Sequence, residues 1–207
     1  TGLVLQLRRA LELIESDLAQ LGETLATQAL RYVATPLAGR TWLQHATPVT
    51  LGMKIAGWLG AVTRSRQRLR ELKPRLLVLQ FGGASGTLAA LGEQAMPIAQ
   101  ALAEELKLTL PDQPWHTQRD RLVEFGSVLG LIAGSLGKLG RDISLLMQTE
   151  AAEVFEPSAP GKGGTAPRRS TRSAPSALNR LWNAPGPVRL RREGAVAPIL
   201  AFLIFLT

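Results

Sequence analysis

Apolar residues recur three and four positions apart along most of this chain. Leu7, Leu11, Ile14, Leu18, Leu21 and Leu25 share one helical face that is already in register at residue one. Ile55, Leu59, Val62 and Leu69 predict a second long helix from about Val49 to Lys73, ended or kinked by Pro74 because proline lacks the amide donor. A shorter helix is predicted from about Pro97 to Leu108, with proline at its start, where a lost donor matters least. The clearest stripe is Leu122, Phe125, Leu129, Ile132, Leu136, Leu139, Ile143 and Leu146, within a helix from about Thr117 to Glu150. Between the first two helices, Pro36, Gly39 and Pro48 frame a polar loop, GRTWLQHATPVT. The pattern predicts an all-α fold, a bundle of long helices whose remaining faces are buried by other copies.

Polar and small residues sharpen this picture. Arg64, Arg66, Arg68 and Arg70 alternate along the second helix; they cannot share one face, and no aromatics are interleaved with them, which argues for a solvated or inter-subunit surface and against a nucleic-acid groove. Gly126, Gly130, Gly134, Gly137 and Gly140 lie inside the third long helix, where each costs about 1 kcal/mol relative to alanine. Close packing of neighbouring helices would offset that cost. Gly82, Gly83 and Gly86 resemble a phosphate loop only superficially, since no Gly-Lys-Ser/Thr follows.

Charge divides the chain. Up to Gly164 there are 17 Lys+Arg against 15 Asp+Glu; from Thr165 to Thr207 there are 7 Arg and one acid, Glu193. That 43-residue tail has no Lys, Asp or Gln and is built from Arg, Pro, Ala, Ser, Gly and Leu, a palette that GC-rich codons yield in almost any frame. It reads as a shifted frame or foreign end; the alternative is a basic disordered tail for nucleic acid or an acidic lipid surface. Residues 1–164 are therefore expected to form the helical bundle domain, which the resemblance given below makes a partial central domain, and 165–207 the tail. The absence of cysteine excludes disulfides and thiolate metal sites, and two histidines argue against a histidine metal cluster. Ala195–Leu206, interrupted by Pro198, falls short of the ~20 residues that span a bilayer. With no signal peptide in view, a cytoplasmic chain without membrane partners is expected. The missing initiator Met and the helix in register at Thr1 suggest that the true beginning lies upstream.

The segments GRTWLQHATPVTLGMKIAGWLGAV, LQFGGASGTLAALG, PWHTQRDRL and DISLLMQTEAAEVFEPSAPGKGG resemble the fumarase/aspartase superfamily and, within it, the bacterial 3-carboxy-cis,cis-muconate cycloisomerases. The resemblance covers Thr1 to Gly164. It implies an all-α homotetramer with active sites assembled from three subunits, a small di- or tricarboxylate substrate, and neither cofactor nor metal. The reaction it implies is intramolecular addition of a carboxylate across a diene to give a lactone, in aromatic catabolism. The family's upstream Thr-Ser-Gln-Asp motif and its Ser-Ser-x-Met-Pro-x-Lys-x-Asn loop have no counterpart here. At the loop's place stand Thr165, Ala166, Pro167, Arg168 and Arg169, so an inactive fragment is expected. Another lyase of the superfamily, or a non-enzymatic helical interaction protein using its basic tail, are the alternatives.

By the same resemblance, the lyase branches carry Gly-x-Thr-His where this chain has Trp42. Trp42 cannot transfer a proton, which argues against fumarase, adenylosuccinate and argininosuccinate chemistry. Thr41 and Gln44 suit carboxylate oxygens, and Arg40 adds charge. His45, the loop's one group titrating near neutral pH, is the candidate proton donor or substrate contact, with capping of the following helix as its other role. His116 faces the same choice, beside Thr117 as the expected N-cap; Arg119 is a candidate substrate contact or the partner of Asp120 in a structural pair. Lys162 lies in the glycine-rich approach to the absent loop.

Overall fold

A computed structural model describes residues 1–154; Lys162 and the tail 165–207 lie outside the described residues. In chain order come α1 (Gly2–Arg31), β1 (Pro36–Thr41), β2 (Gln44–Thr50), α2 (Leu51–Leu76), a 3-10 segment (Ala89–Gln94), α3 (Ala95–Leu106) and α4 (Asp120–Met147). The fold is thus mostly helical, as the stripes predict, with one antiparallel hairpin in place of the expected polar loop.

Buried positions keep a seven-residue repeat. In α1 the buried hydrophobic side chains are Val4, Leu11, Leu18 and Leu25, continued by Tyr32 beyond its end, with Gln28 a buried polar residue off the repeat; in α4 they include Phe125, Ile132, Leu139 and Leu146. α2 buries Leu51, Ile55, Trp58, Val62, Ser65, Leu69, Leu72 and Leu76, alternately four and three apart. Helices that face neighbours along their length need this spacing. Of the predicted stripes, Leu7, Ile14, Leu21, Leu59, Leu122, Leu129 and Ile143 are only half-buried, and Trp58 and Val128 are buried where Leu59 and Leu129 were expected. By length and composition α4 could also cross a membrane; its seven-residue repeat of buried side chains is that of a bundle helix.

Helix ends differ from expectation for local reasons. α2 begins at Leu51 because Val49 and Thr50 pair with Leu37 and Pro36 in the hairpin. It runs past Pro74 to Leu76, since a proline in the last exposed turn forfeits only the bond to the residue four back. α3 starts at Ala95, which places Pro97 in its first turn. α4 starts at Asp120, with the Arg119 carbonyl accepting from the amides of Leu122 and Val123 at 3.0 Å each, so Thr117 is not its N-cap. At its other end the amides of Glu153 and Val154 return to the Leu146 carbonyl, closing the helix after Met147.

The chain forms two compact units. In the first, residues 1–19 and 63–133, Val4, Val78, Leu79, Ala103, Leu108 and Trp115 make one core cluster. Gln80 organises its edge: its side-chain oxygen accepts from the Trp115 amide at 2.6 Å, and its backbone exchanges two hydrogen bonds with the Thr1 hydroxyl. Glu15 takes ion pairs from Arg70 and Lys73, and Arg75 pairs with Glu124.

Among the described residues, the second unit comprises Gln20–Val62 and residues 134–154. Here the end of α1, the hairpin and the start of α2 meet at Gly52. A Cβ on Gly52 would lie 2.6 Å from the Ala29 carbonyl oxygen and 2.7 Å from the Val33 Cα, so only glycine lets the backbones approach this closely. The glycines of α4 are different: a Cβ on Gly126, Gly130, Gly134 or Gly137 meets nothing within 4 Å in this chain, so the close packing expected of them is not found among the described residues.

These opposite environments give opposite expectations in thermal unfolding. Gly52→Ala should destabilise the chain by about 1–3 kcal/mol, the cost of overpacking a filled site. Gly130→Ala should stabilise it by about 0.5–1 kcal/mol, by removing a flexible residue from a helix interior; a loss there would mean that another surface packs on this face in solution.

Candidate active site

The hairpin is built from unpromising residues. Pro36 pairs with Thr50 and Ala38 with Pro48, positions a two-stranded ribbon tolerates because each strand has a free edge. Its register slips between Ala38 and Arg40, then resumes with Arg40 opposite His45 and Thr41 opposite Gln44. The turn is Trp42–Leu43, with φ of 49° and 62°. Tight hairpins need positive φ at both central residues and favour Asn-Gly for that reason. Here two bulky side chains are held in that region at a cost of about 1–2 kcal/mol each, and Trp42 is 97% exposed. A strained, exposed aromatic at a loop tip points to a functional position.

Beneath the hairpin lies a cleft of about 900 Å³, bounded by β1, β2, the first turn of α2 and the end of α4 with the segment after it. Arg40, Thr41, Trp42 and His45 line it; Gln44 sits beside them at the turn, paired with Thr41, but is not part of the lining. His116 and Arg119 belong to the first unit, where both are exposed in the loop before α4, and they do not line this cleft. No ion pair forms between Arg119 and Asp120 among the described residues.

Two charge clusters define the cleft's electrostatics. Arg40 donates to Glu153 through both terminal guanidinium nitrogens, Nη1 and Nη2, at 2.7 and 3.0 Å. This two-pronged bond outweighs the effect of burial and raises the arginine's pKa further. Arg40 thus fastens β1 to the segment after α4. The second cluster centres on Asp142 of α4. Its Oδ2 accepts from Trp58 Nε1 at 2.6 Å and from Lys138, and Lys54 Nζ lies 3.7 Å away. Burial pushes this carboxyl's pKa up, but the hydrogen bonds from Lys138 and Trp58 and the charges of Lys54 and Lys138 prevail and hold it below the usual aspartate value.

His45 does not cap α2. That role falls to Thr50, whose Oγ1 accepts from the Met53 amide at 3.1 Å. His45 is left exposed on the cleft wall. No cluster of three metal-ligating side chains occurs among the described residues. Sequence reasoning missed Lys54, Trp58, Asp142 and Glu153. The available signal was Lys138–Asp142, an i,i+4 charge pair that follows the charge-free stretch 125–137 of the same helix.

The architecture and the cleft define a helical-bundle domain with a hairpin set over a cleft lined by charged and polar side chains. Residues 1–166 match the family described as Lyase, and the chain belongs to that family. It is 72% identical over 191 residues to the 3-carboxy-cis,cis-muconate cycloisomerase of Pseudomonas aeruginosa, covering 91% of this chain and 42% of the relative. It is 74% identical over 165 residues to the enzyme of that name from Pseudomonas putida, covering 80% and 39%. The crystal structure of the Pseudomonas putida 3-carboxy-cis,cis-muconate lactonizing enzyme superposes with a TM-score of 0.75 at 80% identity, over 76% of this chain and 36% of that one. The chain therefore spans about two-fifths of the length of the curated relatives it matches.

Asp142 has its pKa depressed in the folded state, so it stabilises the fold above its unfolded value, about 3.9, and that contribution is lost as pH falls through the folded value. Chemical unfolding between pH 7 and 2 should show Asp142→Asn less stable than the unsubstituted chain at neutral pH. The two should converge toward the acid end. A constant difference across the range would show that the carboxylate's charge is not what matters.

Proposed function

We propose that the protein to which this chain belongs is a 3-carboxy-cis,cis-muconate cycloisomerase, and that these 207 residues alone hold only part of its machinery. The carrying observation is the GRTWLQHATP hairpin, with Trp42 at its strained tip, in a chain 72–80% identical to relatives and a solved structure bearing the names reported above. In this reading one carboxylate oxygen of the substrate adds to a carbon of its own diene, forming the C–O bond of a lactone. The displaced electron pair moves to the carbon next to another carboxylate, giving an enolate-like carbanion that takes up one proton. Such a reaction needs donors for several carboxylates, fixed dipoles at the developing negative charge and one proton source.

Thr41 and Gln44 serve as neutral hydrogen-bonding groups at the hairpin turn, and Trp42 offers an apolar wall that holds no proton. His45 is the proton donor in this scheme, exposed and free of a capping role. Arg40 acts by fastening the strand rather than by touching substrate. His116 and Arg119 enter only in an assembled homotetramer, where sites are built from several copies. The cytoplasm is the expected location of such a catabolic enzyme.

The test is a composite protein in which this chain's residues 1–164 replace the matching stretch of the Pseudomonas aeruginosa relative. It should consume 3-carboxy-cis,cis-muconate, seen as loss of the diene absorbance, while the 207-residue chain alone should not. His45→Gln in the composite should lower turnover by about 100-fold or more, the usual worth of a general acid. A composite inactive on the muconate but active on fumarate, adenylosuccinate or argininosuccinate would replace this reading with another lyase activity.

A further inference from the structure

The start of a long helix offers an anion its unpaired amides, and the start of α2 borders the cleft. Here those amides are already spent. Leu51 N donates to the Thr35 carbonyl and Gly52 N to the Tyr32 carbonyl, each at 2.9 Å, and Met53 N donates to Thr50 Oγ1. An anion entering the cleft must take its donors from side chains.

Arg40 is committed to Glu153. Lys54, one turn into α2, is held differently. Its Nζ is 3.7 Å from Asp142 Oδ2, beyond a good hydrogen bond, on an oxygen that already accepts from Trp58 and Lys138. The ammonium also stands 5.9 Å from the centre of the Trp58 ring, within cation–π range. It is therefore steered by charge and by an aromatic face while its three N–H donors remain available. One carboxylate faces two lysines in this cluster, which leaves a surplus positive charge. Lys54 and Asp142 line the same cleft as Thr41 and His45.

From this arrangement we infer that Lys54 grips a carboxylate of the substrate in this cleft, with Asp142 and Trp58 as the positioning residues that aim it. The inference rests on the cycloisomerase reading and adds to it the cation that reading lacks, since Arg40 is tied up. A lysine used only as an ion-pair partner would affect stability and leave ligand affinity unchanged.

Citrate serves as a tricarboxylate probe without a diene. The 207-residue chain is titrated with citrate by calorimetry, with acetate and inorganic phosphate at matched ionic strength, and Lys54→Met and Lys54→Arg are compared, with thermal unfolding of each. Citrate should bind more tightly than either control. Lys54→Met should weaken it by about tenfold or more, and Lys54→Arg should keep affinity within about threefold, without matching changes in melting temperature. If Lys54→Met does not fold, Lys54→Gln takes its place. Unchanged citrate affinity in a folded Lys54→Met overturns the role of Lys54 and leaves the cleft as a polycarboxylate site. Citrate binding no tighter than acetate or phosphate in the unsubstituted chain overturns the inference, while turnover of the muconate by the composite protein decides separately on the reading on which it rests.

Discussion

The close approach at Gly52 is the constraint on which the second unit depends. Because residue 52 has no side chain, the start of α2 can lie against the backbone of Ala29 and Val33, near enough for the Tyr32 and Thr35 carbonyls to take the first two α2 amides. Both ends of the hairpin are thereby anchored, Thr35 just before β1 as an acceptor and Thr50 at the end of β2 as a cap. A two-stranded ribbon is marginal by itself. Anchored at its base and fastened at Arg40 by Glu153, it can hold Trp42 and Leu43 in a turn that neither residue favours.

The same contact explains why the cleft is governed by side chains. Capping α2 internally removes the helix terminus as an anion site and leaves Lys54, one turn along, as the first donor to face the space beneath the hairpin. Asp142 then sets how Lys54 is used. Its carboxylate spends its strong hydrogen bonds on the Trp58 indole and on Lys138, keeping Lys54 near by Coulomb attraction without consuming its donors. A lone buried carboxylate would be expensive; two cations and an indole make it tolerable, and the depressed pKa records that they outweigh its desolvation.

The long helices were legible because a seven-residue apolar repeat is sustained through α1, α2 and α4, and only its phase was misjudged, by one position at Trp58 and at Val128. The hairpin was not, since its turn is Trp-Leu rather than Asn-Gly and its strands carry Pro36 and Pro48, which speak for a loop in any local reading. At the candidate site, the GRTWLQH segment located Arg40, Thr41, Trp42 and His45 on one cleft, since the four are nearly contiguous. Lys54 and Trp58 were illegible as partners of Asp142 because folding brings together α2 and α4 across a separation of 84 residues between Trp58 and Asp142. Arg40 shows the limit of reading charge from sequence: its partner, Glu153, lies 113 residues further along.

In this fold α2 starts as a capped, glycine-docked helix that anchors the hairpin over the cleft. Amide hydrogen exchange at Leu51, Gly52 and Met53 tests it most directly, because the first amides of an uncapped helix exchange like those of a loop. Protection at all three is expected to be comparable with that of the interior of α2. Exchange of Leu51 and Gly52 at loop rates, with the α2 interior protected, would contradict it.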